Sequence, residues 1–176
     1  MNNENTLTGV RYRKDPNDIF YTPEKLAKFL IEMVNIEPNH VICDPFKGKG
    51  AFFNNFPVDN EKHWFEIAEG KDFFENTKLY DWIISNPPFS MTTKILEFTC
   101  LYSKIGFAYL LPSYQMSYFR LKNIEKYGFY LNKILYFQNP KEWNIGFQMC
   151  FFIFTKQRSE SIKLFEESKS IQSRLF

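Results

Sequence analysis

Two consecutive prolines behind a short apolar run decide where the sheet of this chain must stop. Asp81-Trp82-Ile83-Ile84-Ser85 places three apolar residues between polar ends and reads as a buried strand. Neither Pro87 nor Pro88 can donate to a ladder, and each fixes φ, so the strand ends at Asn86. The Asn86 side chain is thereby delivered to the C-terminal edge of a strand, where open α/β sheets bind their ligands.

The chemistry of that edge narrows the reading. The exocyclic amine of adenine is a poor nucleophile because its lone pair is delocalised into the ring. Two acceptors aimed at its two hydrogens would localise that pair and point it at an electrophile. The Asn86 side-chain oxygen is one acceptor and the Pro87 carbonyl, on stiff backbone, is the other. Phe89 adds an apolar face for a planar base. A plain Pro-Pro turn is the plainer alternative. Asn86-Pro87-Pro88-Phe89 behind a hydrophobic strand resembles the catalytic motif of S-adenosylmethionine-dependent amino-methyltransferases, above all the DNA adenine-N6 group.

Upstream segments match the same family in order. Thr22 is a good N-cap and Pro23 a good first helical residue, and Leu26, Phe29, Leu30, Met33 and Val34 form one apolar face of the helix that follows. By the resemblance, Tyr21-Thr22-Pro23 lies against the methionine end of the cofactor. Val41-Ile42-Cys43 reads as a strand leading into Asp44-Pro45-Phe46-Lys47-Gly48-Lys49-Gly50, with a helix expected from about Ala51. Glycines at 48 and 50 let backbone pass close to a ligand. The segment lacks the third glycine of a dinucleotide fingerprint and the Lys-Ser/Thr of a phosphate loop. It resembles the cofactor motif of DNA methyltransferases, which implies that Asp44, Pro45, Phe46 and the Gly48–Gly50 backbone meet the amino-acid part of S-adenosylmethionine.

His63 to Ile67 reads as a second strand, and Glu66 is the candidate acid for the ribose hydroxyls, with a solvent-facing acid as the alternative. In Gly70-Lys71-Asp72-Phe73-Phe74, Asp72 is placed to accept from the adenine amine of the cofactor and Phe73 to pack on its ring, as the resemblance implies. Glu66 and Asp72 are too close in sequence for the helix that normally separates these motifs, so either a layer is missing or one acid is misassigned. The compressed spacing resembles small phage and virus-type adenine methyltransferases.

The remaining segments alternate: a helix over 90–104, a strand over 105–111, a helix over 116–127, a strand over 133–137, a loop over 139–146 and a last strand over 147–154. Phe147 matches the aromatic that stacks on the far face of the target base, with Trp143 in reserve and a core role as the alternative. Together these imply a Rossmann-like α/β fold over roughly residues 20–155: a mainly parallel sheet, one antiparallel strand and helices on both faces.

With 176 residues the chain makes one domain, 19–176, preceded by a flexible basic arm over 1–18 that carries Arg11, Arg13 and Lys14. A net charge of +2 is modest for a nucleic-acid binder. The 21 Phe and 10 Tyr are not read as a stacking signal, because A/T-rich coding favours them. Cys43, Cys100 and Cys150 read as buried reduced thiols. They and the two histidines have no metal-like spacing, so no metal is expected. No apolar run has membrane-span length and the N-terminus is polar, which places the expected protein inside a bacterial or virus-infected cell, in the cytoplasm.

DNA is the expected partner, and S-adenosylmethionine the cofactor. No stretch is long enough for a separate recognition domain. Recognition then falls to the loops 112–117 and 139–146, the basic arm, a second copy or a partner subunit. The same chemistry on an RNA base amine or a protein glutamine stays open, as does a non-catalytic subunit that binds nucleic acid.

Overall fold

The computed structural model describes residues 20–143, 145–160 and 162. The expected basic arm over 1–18 and most of the charged tail lie outside the described residues. Six strands, β1 (Ile42–Asp44), β2 (Lys62–Trp64), β3 (Tyr80–Ser85), β4 (Ser103–Pro112), β5 (Tyr130–Tyr136) and β6 (Met149–Thr155), form one sheet in the order β2-β1-β3-β4-β6-β5. The pairs β1–β2, β1–β3 and β3–β4 are parallel, and β6 runs antiparallel to both β4 and β5. The sheet is therefore mainly parallel with one antiparallel strand, as expected from the sequence.

Three helices accompany it: α1 (Glu24–Glu32), α2 (Thr92–Tyr102) and α3 (Tyr118–Lys126). Strand order moves one way from β1 to β2 and the other way from β3 to β4. Right-handed crossovers place those two connections on opposite faces. The order reverses at β1 and β3, so their C-terminal ends flank a switch point, the usual ligand crevice of such sheets. No helix among the described residues is long and apolar enough to cross a membrane.

Most of the expected elements form, with several differences: the strand expected from His63 to Ile67 ends at Trp64, and Pro23 caps α1 instead of opening it. In α1 the core-facing residues are Ala27, Leu30, Ile31 and then Val34, while Phe29 is 46% exposed, so the helix is rotated from the face its larger residues suggested. After the glycine loop only a short 3-10 turn, Phe53–Asn55, forms in place of a helix, and Pro57 closes that segment. Between β2 and β3 there is no helix at all: two 3-10 turns, Ile67–Glu69 and Phe73–Glu75, span the gap. Of the two options left open by the Glu66–Asp72 spacing, the missing layer is the one observed.

The core sits on the central strands. Every residue of β6 but Thr155 is buried, and the Phe107 and Phe154 rings stack across β4 and β6 at 4.7 Å. Cys43, Cys100 and Cys150 are free and buried. At Gly106, where β4 passes between Trp82 and Thr155, a Cβ would lie 2.4 Å from the Phe154 carbonyl and 2.5 Å from the Trp82 ring. Backbone cannot yield as a flexible side chain can, so Gly106→Ala is expected to destabilise the fold by about 1–3 kcal/mol. Urea denaturation checks this; an unchanged midpoint would mean that the two strands part easily at this point.

Candidate active site at the ends of β1 and β3

The ends of β1 and β3 are joined by one carboxyl group. Asp44 closes β1, is fully buried, and accepts from the Ser85 hydroxyl (2.6 Å) and from the backbone N–H of Phe46 (3.3 Å) and Phe53 (3.2 Å). Burial pushes its carboxyl up to about 7, against three donors that favour the anion. Ser85 is the last residue of β3 and directly precedes Asn86. Asp44 thus holds the glycine loop and the Asn86 turn in a fixed relation. It does so from behind the site, since it does not line the cavity described next.

A cavity of about 710 Å³ opens over these strand ends, within the range of about 300–1,000 Å³ usual for small-molecule sites. Of the residues singled out from the sequence, Tyr21, Thr22, Pro45, Phe46, Gly48, Glu66, Asp72, Phe73, Asn86, Pro87 and Pro88 line it. Pro23, Asp44, Gly50, Phe89 and Phe147 do not. Gly48 has φ +50°, and a Cβ there would stand 3.5 Å from the Tyr21 ring, filling space between the loop and the segment 20–22. Gly50 has φ +89° and abuts Asn54, so it serves the turn.

Both acids expected to meet a ligand also build the wall. Glu66 accepts from the Gly48 N–H (2.8 Å) through one oxygen and from the Ala68 N–H (3.2 Å) through the other. Asp72 caps the next turn by accepting from the Phe74 N–H (2.9 Å). A carboxylate offers about four lone-pair sites, so each retains acceptor capacity toward the cavity. Phe73 is buried, packed edge-on against Phe46, Phe65 and Phe98. Lys47, Lys49, Lys71 and Lys94 stand among the lining residues. Lys47 pairs with Glu69 (2.6 Å), and Lys49 lies over the Tyr21 ring (4.3 Å).

Asn86 is fixed by the segment ahead of α1. Its Nδ2 donates to the Phe20 carbonyl (2.5 Å) and to the Thr22 hydroxyl (3.1 Å). A backbone carbonyl can only accept, so this contact settles which end of the amide is nitrogen. Its Oδ1 is shielded from solvent and has no hydrogen-bond partner among the described residues. Leaving a buried acceptor unmatched costs about 1–3 kcal/mol, so the unpaired oxygen calls for an explanation, and a donor supplied by a ligand is one; the other unpaired buried atom among the described residues, Trp82 Nε1, does not line the cavity. The Thr22 hydroxyl is thus directed to Asn86, and α1 begins after Pro23 with no side-chain cap.

The aromatic residues are arranged differently from expectation. The Phe89 ring is covered by the ring of Phe20, nearly parallel (12°) at 5.7 Å, and Phe147 meets both rings edge-on at 6.3 and 6.4 Å. Trp143, the reserve choice for stacking, is buried and donates through Nε1 to the Tyr21 carbonyl (2.9 Å), so it anchors the 20–22 segment. Phe20, Ser85 and the anchoring role of Trp143 were not legible in the sequence, because each depends on a partner 39 or more residues away.

No protein-family model matches the chain, and no curated protein matches it in sequence. Solved structures do match in fold. A candidate RNA methyltransferase from Pyrococcus horikoshii superposes with a TM-score of 0.62 at 16% identity, covering 85% of this chain and 92% of that one. The M protein of the type I restriction enzyme EcoKI gives 0.59 at 14%, covering 80% of this chain and 44% of its own length. A candidate class I S-adenosylmethionine-dependent methyltransferase from Listeria monocytogenes gives 0.58 at 14%, covering 90% and 70%. The chain has the Rossmann-like class I methyltransferase fold, and spans under half of the EcoKI M protein.

The pKa of Asp44 carries a prediction. A carboxyl raised from 3.8 to about 7 on folding binds its proton more tightly in the folded state. Its contribution to stability is therefore complete below pH 3.8 and is lost as pH rises through about 7. The urea midpoint of the wild type is expected to fall across that window, and Asp44→Asn, which cannot ionise, to flatten the fall. An equally steep profile in the variant would assign the pH dependence to another group.

Proposed function

We propose that the chain is an S-adenosylmethionine-dependent methyltransferase acting on the N6 amine of adenine in DNA. The observation that carries the reading is the Asn86 amide: both its donor hydrogens face protein acceptors, and its oxygen is buried without a donor. An orphan acceptor fixed at a strand end suits an incoming N–H group. The cofactor supplies a methyl group on positively charged sulfur, which an amine lone pair can take with loss of a proton.

The residues fit that cofactor by character. The Gly48 loop leaves the space that a side chain would fill, Glu66 and Asp72 retain lone pairs suited to hydroxyl and amine donors, and Phe46 and Phe73 supply apolar surface. On the target side, Asn86 Oδ1 and the Pro87 carbonyl would accept from the two amine hydrogens and turn the lone pair toward the methyl. Positioning and removal of water then provide the acceleration. The class I fold and the S-adenosylmethionine-dependent neighbour support the cofactor. The M protein of EcoKI, a restriction-enzyme component, supports DNA as an acceptor.

In this reading the target base takes the face of Phe89 now covered by Phe20, with Phe147 beside it. In duplex DNA the base must first leave the stack, at a cost of a few kcal/mol. RNA is the second acceptor class, which the candidate RNA methyltransferase from Pyrococcus horikoshii supports, and parallel assays on DNA, RNA and protein glutamine decide between them.

Transfer of labelled methyl to adenine-containing DNA is the primary test. Asn86→Ala is expected to lower the rate on the order of 100-fold or more, with a much smaller effect on cofactor affinity by calorimetry. Full activity in that variant removes Asn86 from the mechanism, and lack of cofactor binding by the wild type removes the enzyme reading. Thr22→Val, which deletes one of the two acceptors that orient the amide, is expected to lower kcat while leaving the KM for DNA nearly unchanged. Phe20→Ala keeps the carbonyl but removes the ring, and is expected to lower the KM for DNA; an increase would make the ring part of the substrate seat.

A further inference from the structure

The described residues form a second cavity. It is a groove of about 510 Å³ between α2 and α3, floored by Leu96, Cys100 and Ile124. Both cavities draw on the start of α2: its N-cap Met91 and Lys94 line the large one, and Thr93 lines the groove. Arg120, in the first turn of α3, ties this end to the motif. Its guanidinium donates to Thr93 Oγ1 (3.1 Å) and to both oxygens of Gln115 (2.7 and 2.6 Å), while Gln115 reaches the Phe89 carbonyl (3.4 Å).

The groove wall combines an exposed aromatic with positive charge. Phe119 is 82% exposed, an unusual position for a phenyl ring on a helix whose core contact is Ile124. Tyr127 is 40% exposed farther along, and Lys126 carries its charge in the last turn of α3. Of the neighbouring acids, Glu125 pairs with Lys122 and Arg158, while Glu97 accepts from the neutral Asn123 amide (2.7 Å) and keeps its charge. The groove therefore presents stackable rings with two cations, Arg120 and Lys126, against one acid, Glu97, and it starts on the same end of α2 that borders the large cavity.

We propose that this groove binds single-stranded DNA flanking the target nucleotide, with a base stacked on Phe119 and phosphates near Arg120 and Lys126. The proposal rests on the nucleic-acid reading given above and adds where the strand runs. Rings take any base because every base has a π face, and cations track the backbone, so binding is tolerant of sequence. That suits a described fold with no separate recognition domain.

The probe is a 5′-labelled oligo-dT, which contains no adenine and so reports on the groove apart from the target seat. Fluorescence anisotropy is expected to show that wild type binds oligo-dT more tightly than a duplex of equal length. Phe119→Ser combined with Lys126→Glu is expected to weaken that binding by about 5-fold or more. The salt slope should fall by roughly 0.7 for the lost phosphate contact. Phe119→Trp alone should retain or tighten binding, which a merely structural role for the ring would not predict. Cofactor affinity by calorimetry and the thermal midpoint should be unchanged in all variants. Equal binding by wild type and the double variant overturns the proposal. So does a shift from dimer to monomer in the double variant without loss of DNA affinity, which would make the groove a contact between copies. Absence of cofactor binding, with groove-dependent binding of oligo-dT intact, sinks the enzymatic reading and leaves the groove standing.

Discussion

One buried carboxyl sets the geometry on which the candidate site depends. Asp44 has no solvent exposure, and its two oxygens take up the Ser85 hydroxyl and the N–H groups of Phe46 and Phe53. Without that acceptor the loop amides would face an interior of phenylalanine and isoleucine, where an unmatched donor costs about 1–3 kcal/mol. The Ser85 contact matters for a different reason: it binds the end of β3 to the end of β1 one residue before Asn86. A side chain that does not line the cavity thus fixes the distance between the glycine loop and the amide. The elevated pKa is the visible cost of placing a charge at that junction.

The sequence exposes parts of this arrangement whose rules are local. The end of β3 was legible because proline forbids continuation, whatever the tertiary context. The missing helix between β2 and β3 was legible as one of two options, since the five residues between Glu66 and Asp72 cannot hold one. Other features follow from partners distant in sequence. Thr22 obeys the capping rule on paper, yet its hydroxyl is taken by an amide 64 residues away. Trp143 has the surface of a stacking residue, but its indole N–H anchors the Tyr21 carbonyl across 122 residues. For α1, the stripe through Phe29 and the true stripe through Ala27 and Ile31 share Leu30 and Val34. Periodicity alone weights the larger ring, and packing prefers the small residue that lets the helix approach. Phe89 and Phe147 were read as the residues that stack on a target base, and nothing in the sequence shows Phe20 lying on the first and against the second.

A chain without one layer of the usual architecture must obtain its site walls from fewer residues, and several side chains here act twice. Glu66 and Asp72 stand where a ligand would meet them, yet each already caps a 3-10 turn, and Glu66 also holds the Gly48 N–H. Carboxylates can do this because each oxygen accepts more than once, so a turn and a hydroxyl can share one group. An amide has no such surplus of donors. The two hydrogens of Asn86 are both engaged by the segment before α1, and the choice of which end of the amide stays unpaired is made there. The free oxygen is thus a consequence of the strap rather than of the motif: the same four residues, Asn86 to Phe89, without the Phe20 carbonyl and Thr22 hydroxyl, would leave the amide free to rotate. Asn-Pro-Pro-Phe supplies the atoms, and a segment distant in the chain decides which of them is offered.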